Sequence, residues 1–166
     1  MGYAAVMAEK RDWRPTTYGS IAELRAEMDA IDAAERAGRL RTTGGWTAGQ
    51  ILEHCGKFMR MSFDGFDEMR VPWIIRLIGS AVLKPRIGKS HMKPGIRLPG
   101  SATALLPREG VSFDEGMGVL RAQVSRIEAG ERMTRDSPVL GRMTHDRWVL
   151  VHLDHCRLHF GFLRTD

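Results

Sequence analysis

Apolar residues recur at helical spacing in four stretches of this chain, and a side-chain hydroxyl stands before each, placed to accept from the first free backbone N–H groups. After Ser20, with Glu23 completing a capping box, Ile21, Leu24, Met28 and Ile31 form a stripe that predicts a first helix stopping near Gly38. Thr47 and Gln50 make a second box after Gly44 and Gly45. Ile51, His54, Phe58 and Met61 follow, with Leu52, Cys55, Met59 and Phe66 widening the apolar face, so the second helix carries a histidine on its buried side. Ser112 and Glu115 open a third helix, the plainest amphipathic stretch, through Phe113, Met117, Leu120, Val124 and Ile127. Thr144 caps a fourth, with Asp146 near the positive end of its dipole, running past Trp148 to about Leu163.

The second and third helices are separated by a long segment rich in proline and glycine, including Pro72, Gly79, Pro85, Gly88, Pro94 and Pro99. A structureless connection of that length is uncommon in a compact domain, so it is either functional or partly structured, and a short helix is expected at Trp73 to Leu83. No β pattern of any length and no internal repeat is present. The remaining connections are short enough to join antiparallel neighbours, which predicts an all-α fold: a four-helix bundle with one long crossover.

Length changes this picture little. The 166 residues, 43% hydrophobic and 27% charged, fit one domain that buries roughly two-thirds of its unfolded surface, which excludes disorder and small disulfide scaffolds. Residues 20–166 are read as that domain and residues 1–19 as a loose tail without an apolar leader. The longest apolar run, Val71 to Leu83, is too short to span a membrane and contains Arg76. Cys55 and Cys156 are far apart in sequence and form no disulfide framework, from which a reducing, cytoplasmic setting is expected.

Charge adds something local. The chain carries a net +5, yet Arg70 to Arg108 holds Arg70, Arg76, Lys84, Arg86, Lys89, Lys93, Arg97 and Arg108 without one Asp or Glu. Such a block suits an anionic small molecule, a nucleic-acid backbone, an acidic membrane surface or simply a solvated loop. Trp73 is its only aromatic residue and no recognition helix accompanies it, so no nucleic-acid partner is expected. No membrane partner is expected either. The preferred role is to cover the mouth of the bundle, with one or two arginines gripping a carboxylate.

The candidate chemistry lies in the fourth helix. At 100° per residue Trp148, His152, His155, His159 and Phe162 share one face, and the four-residue spacing of His155 and His159 lets two rings on successive turns meet one ion. Two ligands leave a metal under-coordinated, and His54 is the other histidine on a buried helical face. The candidate set is His54, His155 and His159, three nitrogens with open positions, the pattern of a catalytic rather than a structural site. His152 is an alternative ligand or a supporting donor. His145 reads as a surface residue, His91 as a loop residue, and both cysteines as small packing residues turned away from their histidine neighbours. Glu53 adjoins His54 but points about 100° away, leaving no evident general base.

The run Gly45-Trp46-Thr47-Ala48-Gly49-Gln50-Ile51-Leu52-Glu53-His54, followed by His155-Cys156-Arg157-Leu158-His159, resembles the DinB/YfiT-like superfamily of bacterial four-helix bundles. Ser137 to Thr144 before Trp148 brings it nearest to an uncharacterised DinB-like domain-of-unknown-function family. The likeness covers Ser20 to Leu163. It implies a divalent metal, zinc or nickel, on His54, His155 and His159, and a thiol-transferase or related activity using a low-molecular-weight thiol and an electrophilic small-molecule substrate. The chain departs from its relatives at Cys156 and His159, where they often carry His and Gln, which keeps His152 with His155 as the alternative pair. The competing expectation is a non-catalytic binding or stress-response module whose histidines are core polar residues. A homodimer through exposed helix faces is also expected.

Overall fold

The computed structural model describes residues 13–67, 69, 71–94 and 104–166. These are mostly helical: α1 (Ile21–Arg36), α2 (Ala48–Asp64), α3 (Trp73–Ile78), α4 (Phe113–Glu128) and α5 (His145–Phe160). Among the described residues no helix is long and apolar enough to cross a membrane.

The expected caps start the four long helices. The Ser20, Thr47, Ser112 and Thr144 side chains accept from the amides of Glu23, Gln50, Glu115 and Arg147. The reciprocal half of the box is made at α2 and α4, where Gln50 and Glu115 accept from the Thr47 and Ser112 amides. At α1 the Glu23 carboxylate reaches one residue further back, to Gly19 N. The short helix expected between the second and third long helices forms: α3 runs on as one π-helical stretch, Gly79–Leu83, and a 3-10 turn at Lys84–Arg86.

Two local expectations need correcting. The fourth long helix stops at Phe160 rather than near Leu163, because the chain turns at Gly161 and Leu163–Arg164 (β2) pairs antiparallel with Arg41–Thr42 (β1). Leu163 is fully buried, so its apolar character reports strand packing and not another helical turn. The segment before α1 is also engaged from Trp13 onward. Trp13 Nε1 donates to Leu158 O at 2.9 Å, and Arg14 N to Gly161 O at 2.7 Å. Residues 1–12 of the expected tail lie outside the described residues, as do Arg70, Arg97 and Pro99 of the crossover.

One core joins α1, α2, α4 and α5, with Leu24, Met28, Ile51, Leu120, Trp148 and Phe160 at or near zero exposure. The α2–α4 contact is the closest because glycines lie on it. A Cβ on Gly49 would come within 2.5 Å of Ser112 O, one on Gly56 within 2.8 Å of Leu120 N, and one on Gly116 would overlap Gly49 O. None of the three has the positive φ that would itself require glycine, so the constraint is the space between two backbones. Gly116→Ala is expected to cost about 2–3 kcal/mol, since neither backbone can retreat without disturbing the core. That corresponds to roughly 5–10 °C in a thermal melt. An unchanged midpoint would show that the helices do not approach this closely.

Candidate metal centre

Periodicity on α5 and the capped start of α2 bring three histidines to one point. The candidate ligand atoms of His54, His155 and His159 all lie within 4.8 Å of one another, and these residues could hold a metal ion. His54 Nε2 and His155 Nε2 are 3.2 Å apart. Two nitrogens each about 2.0–2.1 Å from a tetrahedral ion stand roughly 3.3 Å apart, so this pair already has the separation of two ligands of one metal. The wider separations need a modest rotamer shift to close.

The surroundings prepare the nitrogens. His54 is buried and its Nδ1–H donates to Leu105 O at 2.6 Å, which leaves the lone pair on Nε2, toward the cluster. Burial lowers the His54 pKa to about 4. His155 and His159 keep an accessible edge, yet burial of the rest, with repulsion from their histidine neighbours, holds both well below the ordinary imidazole range. All three are therefore neutral at pH 7, the form that ligates a metal. With His54 Nε2 carrying a lone pair, His155 Nε2 must supply the proton for their contact, and His155 Nδ1 is then buried without a partner. A cation shared by the facing nitrogens would remove the need for that shared proton. Three imidazoles without a carboxylate suit zinc, nickel and other borderline divalent ions rather than calcium or magnesium.

Aromatic walls enclose the cluster. Trp46 stacks on His159 with ring centroids 5.6 Å apart and tilts against His54 at 4.9 Å, while Phe58 lies 4.8 Å from His155. The sequence named both aromatics, one in the resemblance motif and one in the core stripe, but nothing local marked them as walls. His152 is directed elsewhere: it is buried, stacked on Trp148, and 2.6 Å from Ser62 Oγ, which also lies 3.4 Å from Phe58 O. A relay from His152 Nε2–H to Ser62 Oγ–H to the Phe58 carbonyl satisfies both contacts.

Cys55 and Cys156 are free, buried thiols, and burial with the Cys156 contact pushes the Cys55 thiol up, so both act as packing groups. His145 is half-buried rather than a surface residue, its Nδ1 accepting from Met133 N. His91 is in the crossover, exposed and paired with Asp154 at 2.9 Å.

Sequence reasoning missed how the crossover is fastened around the site. Glu53, fully buried, accepts from the Arg108 amide and guanidinium and from Lys57 Nζ at 3.1 Å, contacts that together hold its carboxyl below the usual range despite burial. Lys57 also donates to Leu106 O. These bonds fix the backbone whose Leu105 carbonyl sets the His54 tautomer. Arg108, a candidate for gripping a substrate carboxylate, is committed to Glu53. On the α5 side Asp154 accepts from Met92 N and Arg157 Nε, fastening the first half of the crossover. The Glu53–Lys57 and Asp154–Arg157 pairs have helical spacing, but the bonds that reach the crossover, to Arg108, Leu106 and Met92, join residues distant in the chain, and no spacing signal encodes them.

Residues 16–166 match the model of a family described as a protein of unknown function (DUF1569), and the chain belongs to that family. Comparisons with curated proteins and with solved structures gave no match.

Proposed function

We propose that this DUF1569 member is a metal-dependent small-molecule enzyme with a DinB/YfiT-like four-helix bundle fold, and that its chemistry is thiol transfer or a close relative of it. The observation that carries the reading is the convergence of three neutral imidazoles from two helices, with a partly accessible edge and no fourth ligand among the described residues. Three protein nitrogens leave coordination positions for a substrate, whereas structural zinc sites are normally closed by four ligands. A divalent ion bound there would act as a Lewis acid that lowers the pKa of a small thiol or water molecule.

The chain's own residues would supply the rest. His54 is held in one tautomer by the Leu105 carbonyl, and the Glu53–Arg108–Lys57 cluster holds that carbonyl in place. Trp46 and Phe58 exclude water from two sides and offer apolar surface to a substrate. Among the described residues no carboxylate or thiol stands in the cluster to serve as a general base, which favours a nucleophile that ionises at neutral pH.

The test is metal analysis of tag-free protein grown with zinc and nickel, followed by assay of low-molecular-weight thiols against electrophilic substrates. About one divalent ion per chain is expected, and thiol conjugation should depend on it. A chain that remains metal-free under replete conditions overturns the enzymatic reading and leaves a bundle whose histidines serve packing alone.

A further inference from the structure

The helical run from Trp73 to Leu83, the six residues of α3 and the five of the π stretch, packs on the protein with the side that helices usually turn to water. Gly79 is buried, with no room for a Cβ against Val139 O, and Arg76 pairs with Asp136 at 3.4 Å. Ser80 approaches Gly141, and Lys84 Nζ donates to Arg142 O. A stripe of small, polar and charged residues thus meets the loop before α5. The opposite half of the helix is apolar and open. Trp73 is 72% exposed, Leu77 59%, Ile78 55% and Ile74 52%. In a soluble helix this apolar stripe would face the core, and a contiguous exposed patch of this kind marks an interaction surface.

Charge identifies the partner. Beyond the helix Arg86, Lys89 and Lys93 are exposed, and no acidic residue occurs between Arg70 and Arg108. An apolar helix face ending in tryptophan, with basic residues beside it, has the composition of a helix that lies in the plane of an anionic bilayer. A second copy fits less well. It carries the same net charge of +5 and so brings no anionic surface to the basic residues. A helix about 16 Å long and about 10 Å across also offers well under the roughly 800 Å² per partner of a stable interface. We propose that the Trp73–Leu83 helix docks this protein on anionic lipid surfaces. This goes against the expectation from sequence that no membrane is engaged, and it is independent of the metal reading.

The purified full chain would be mixed with vesicles of phosphatidylcholine, with and without about 30% phosphatidylserine, and assayed by flotation and tryptophan emission. Binding at least tenfold tighter to the anionic vesicles is expected, weakening as salt rises and accompanied by a blue shift that Trp73→Phe removes. The Leu77→Gln/Ile78→Gln double variant alters only exposed positions, so its melting midpoint should hold while vesicle binding falls at least tenfold. Arg86→Ala/Lys89→Ala should weaken anionic-vesicle binding several-fold and leave neutral vesicles unaffected. Absence of binding by the unaltered chain, equal binding to neutral vesicles, or full binding by the Leu77/Ile78 variant overturns the proposal. So does a dimer in light scattering that the same variant dissociates while vesicles bind neither form, because the face then belongs to a second copy.

Discussion

His155→Ala should lower bound divalent metal from about one ion per chain to almost none, an affinity loss of at least roughly a hundredfold. Removing even an outer-shell partner typically costs ten- to a hundredfold, and His155 is proposed as a direct ligand, its Nε2 3.2 Å from His54 Nε2. The variant will also lose stability, because deleting a ring packed on Phe58 leaves a void worth about 2–3 kcal/mol. Stability alone therefore cannot separate a ligand from a core residue. The linkage between metal and folding can. Metal at a hundred times its dissociation constant should stabilise the unaltered chain by about 2.7 kcal/mol and the variant not at all. Ser62→Ala is the control: it removes the His152 partner without touching the cluster and should leave metal stoichiometry unchanged. If His155→Ala binds metal like the unaltered chain, or if metal stabilises both equally, the ion sits elsewhere.

What the sequence revealed about this site, and what it hid, follows from the range of each interaction. Helix starts were legible because a cap and its partner lie three residues apart, as Thr47 with Gln50 and Ser112 with Glu115. The histidine seam was legible because one helix carries both His155 and His159, and 3.6-residue periodicity places them without any knowledge of the tertiary fold. His54 followed from its position on a buried face. The fastening of the crossover could not be read, because the Glu53–Arg108 and His54–Leu105 pairings span more than fifty residues of proline-rich chain. Nor could the role of the α2–α4 glycines. Gly49 and Gly116 fall inside strong helical patterns, where a glycine alone signals only a small cost. Periodicity also does not say which side of a short helix meets the protein. For Trp73 to Leu83 the usual assumption, apolar inward, gives the wrong side, since Gly79 and Arg76 are the residues that meet the body.

Mild acid should destabilise the metal-free protein severely, in a pH range where carboxylates are still ionised. Burial lowers His54 to about 4 and His152 to about 3, and burial with repulsion from neighbouring histidines holds His155 and His159 well below the ordinary imidazole range. Each of these groups titrates near 6.5 in the unfolded chain. Their neutral forms therefore contribute full stability above pH 6.5, and that contribution is lost as the pH falls toward the folded-state values, because the unfolded chain takes up the protons. By pH 4 the loss is roughly 3 kcal/mol for each of His54 and His152, with His155 and His159 acting in the same direction, a large share of the stability of a typical domain. Depressed carboxylates such as Glu53 act with the same sign but only near and below their ordinary pKa, so the limb from pH 6.5 to 5 belongs to the histidines. Urea unfolding in the presence of a chelator should show stability falling by several kcal/mol per pH unit across that limb. His152→Phe keeps an aromatic ring between Trp148 and Phe58 and removes one titrating group, so its slope across that limb should drop by about 1 kcal/mol per pH unit. Stability that stays flat between pH 7 and 5 would mean that these rings are hydrated in solution, and with that the dry, neutral cluster on which metal capture depends would be lost.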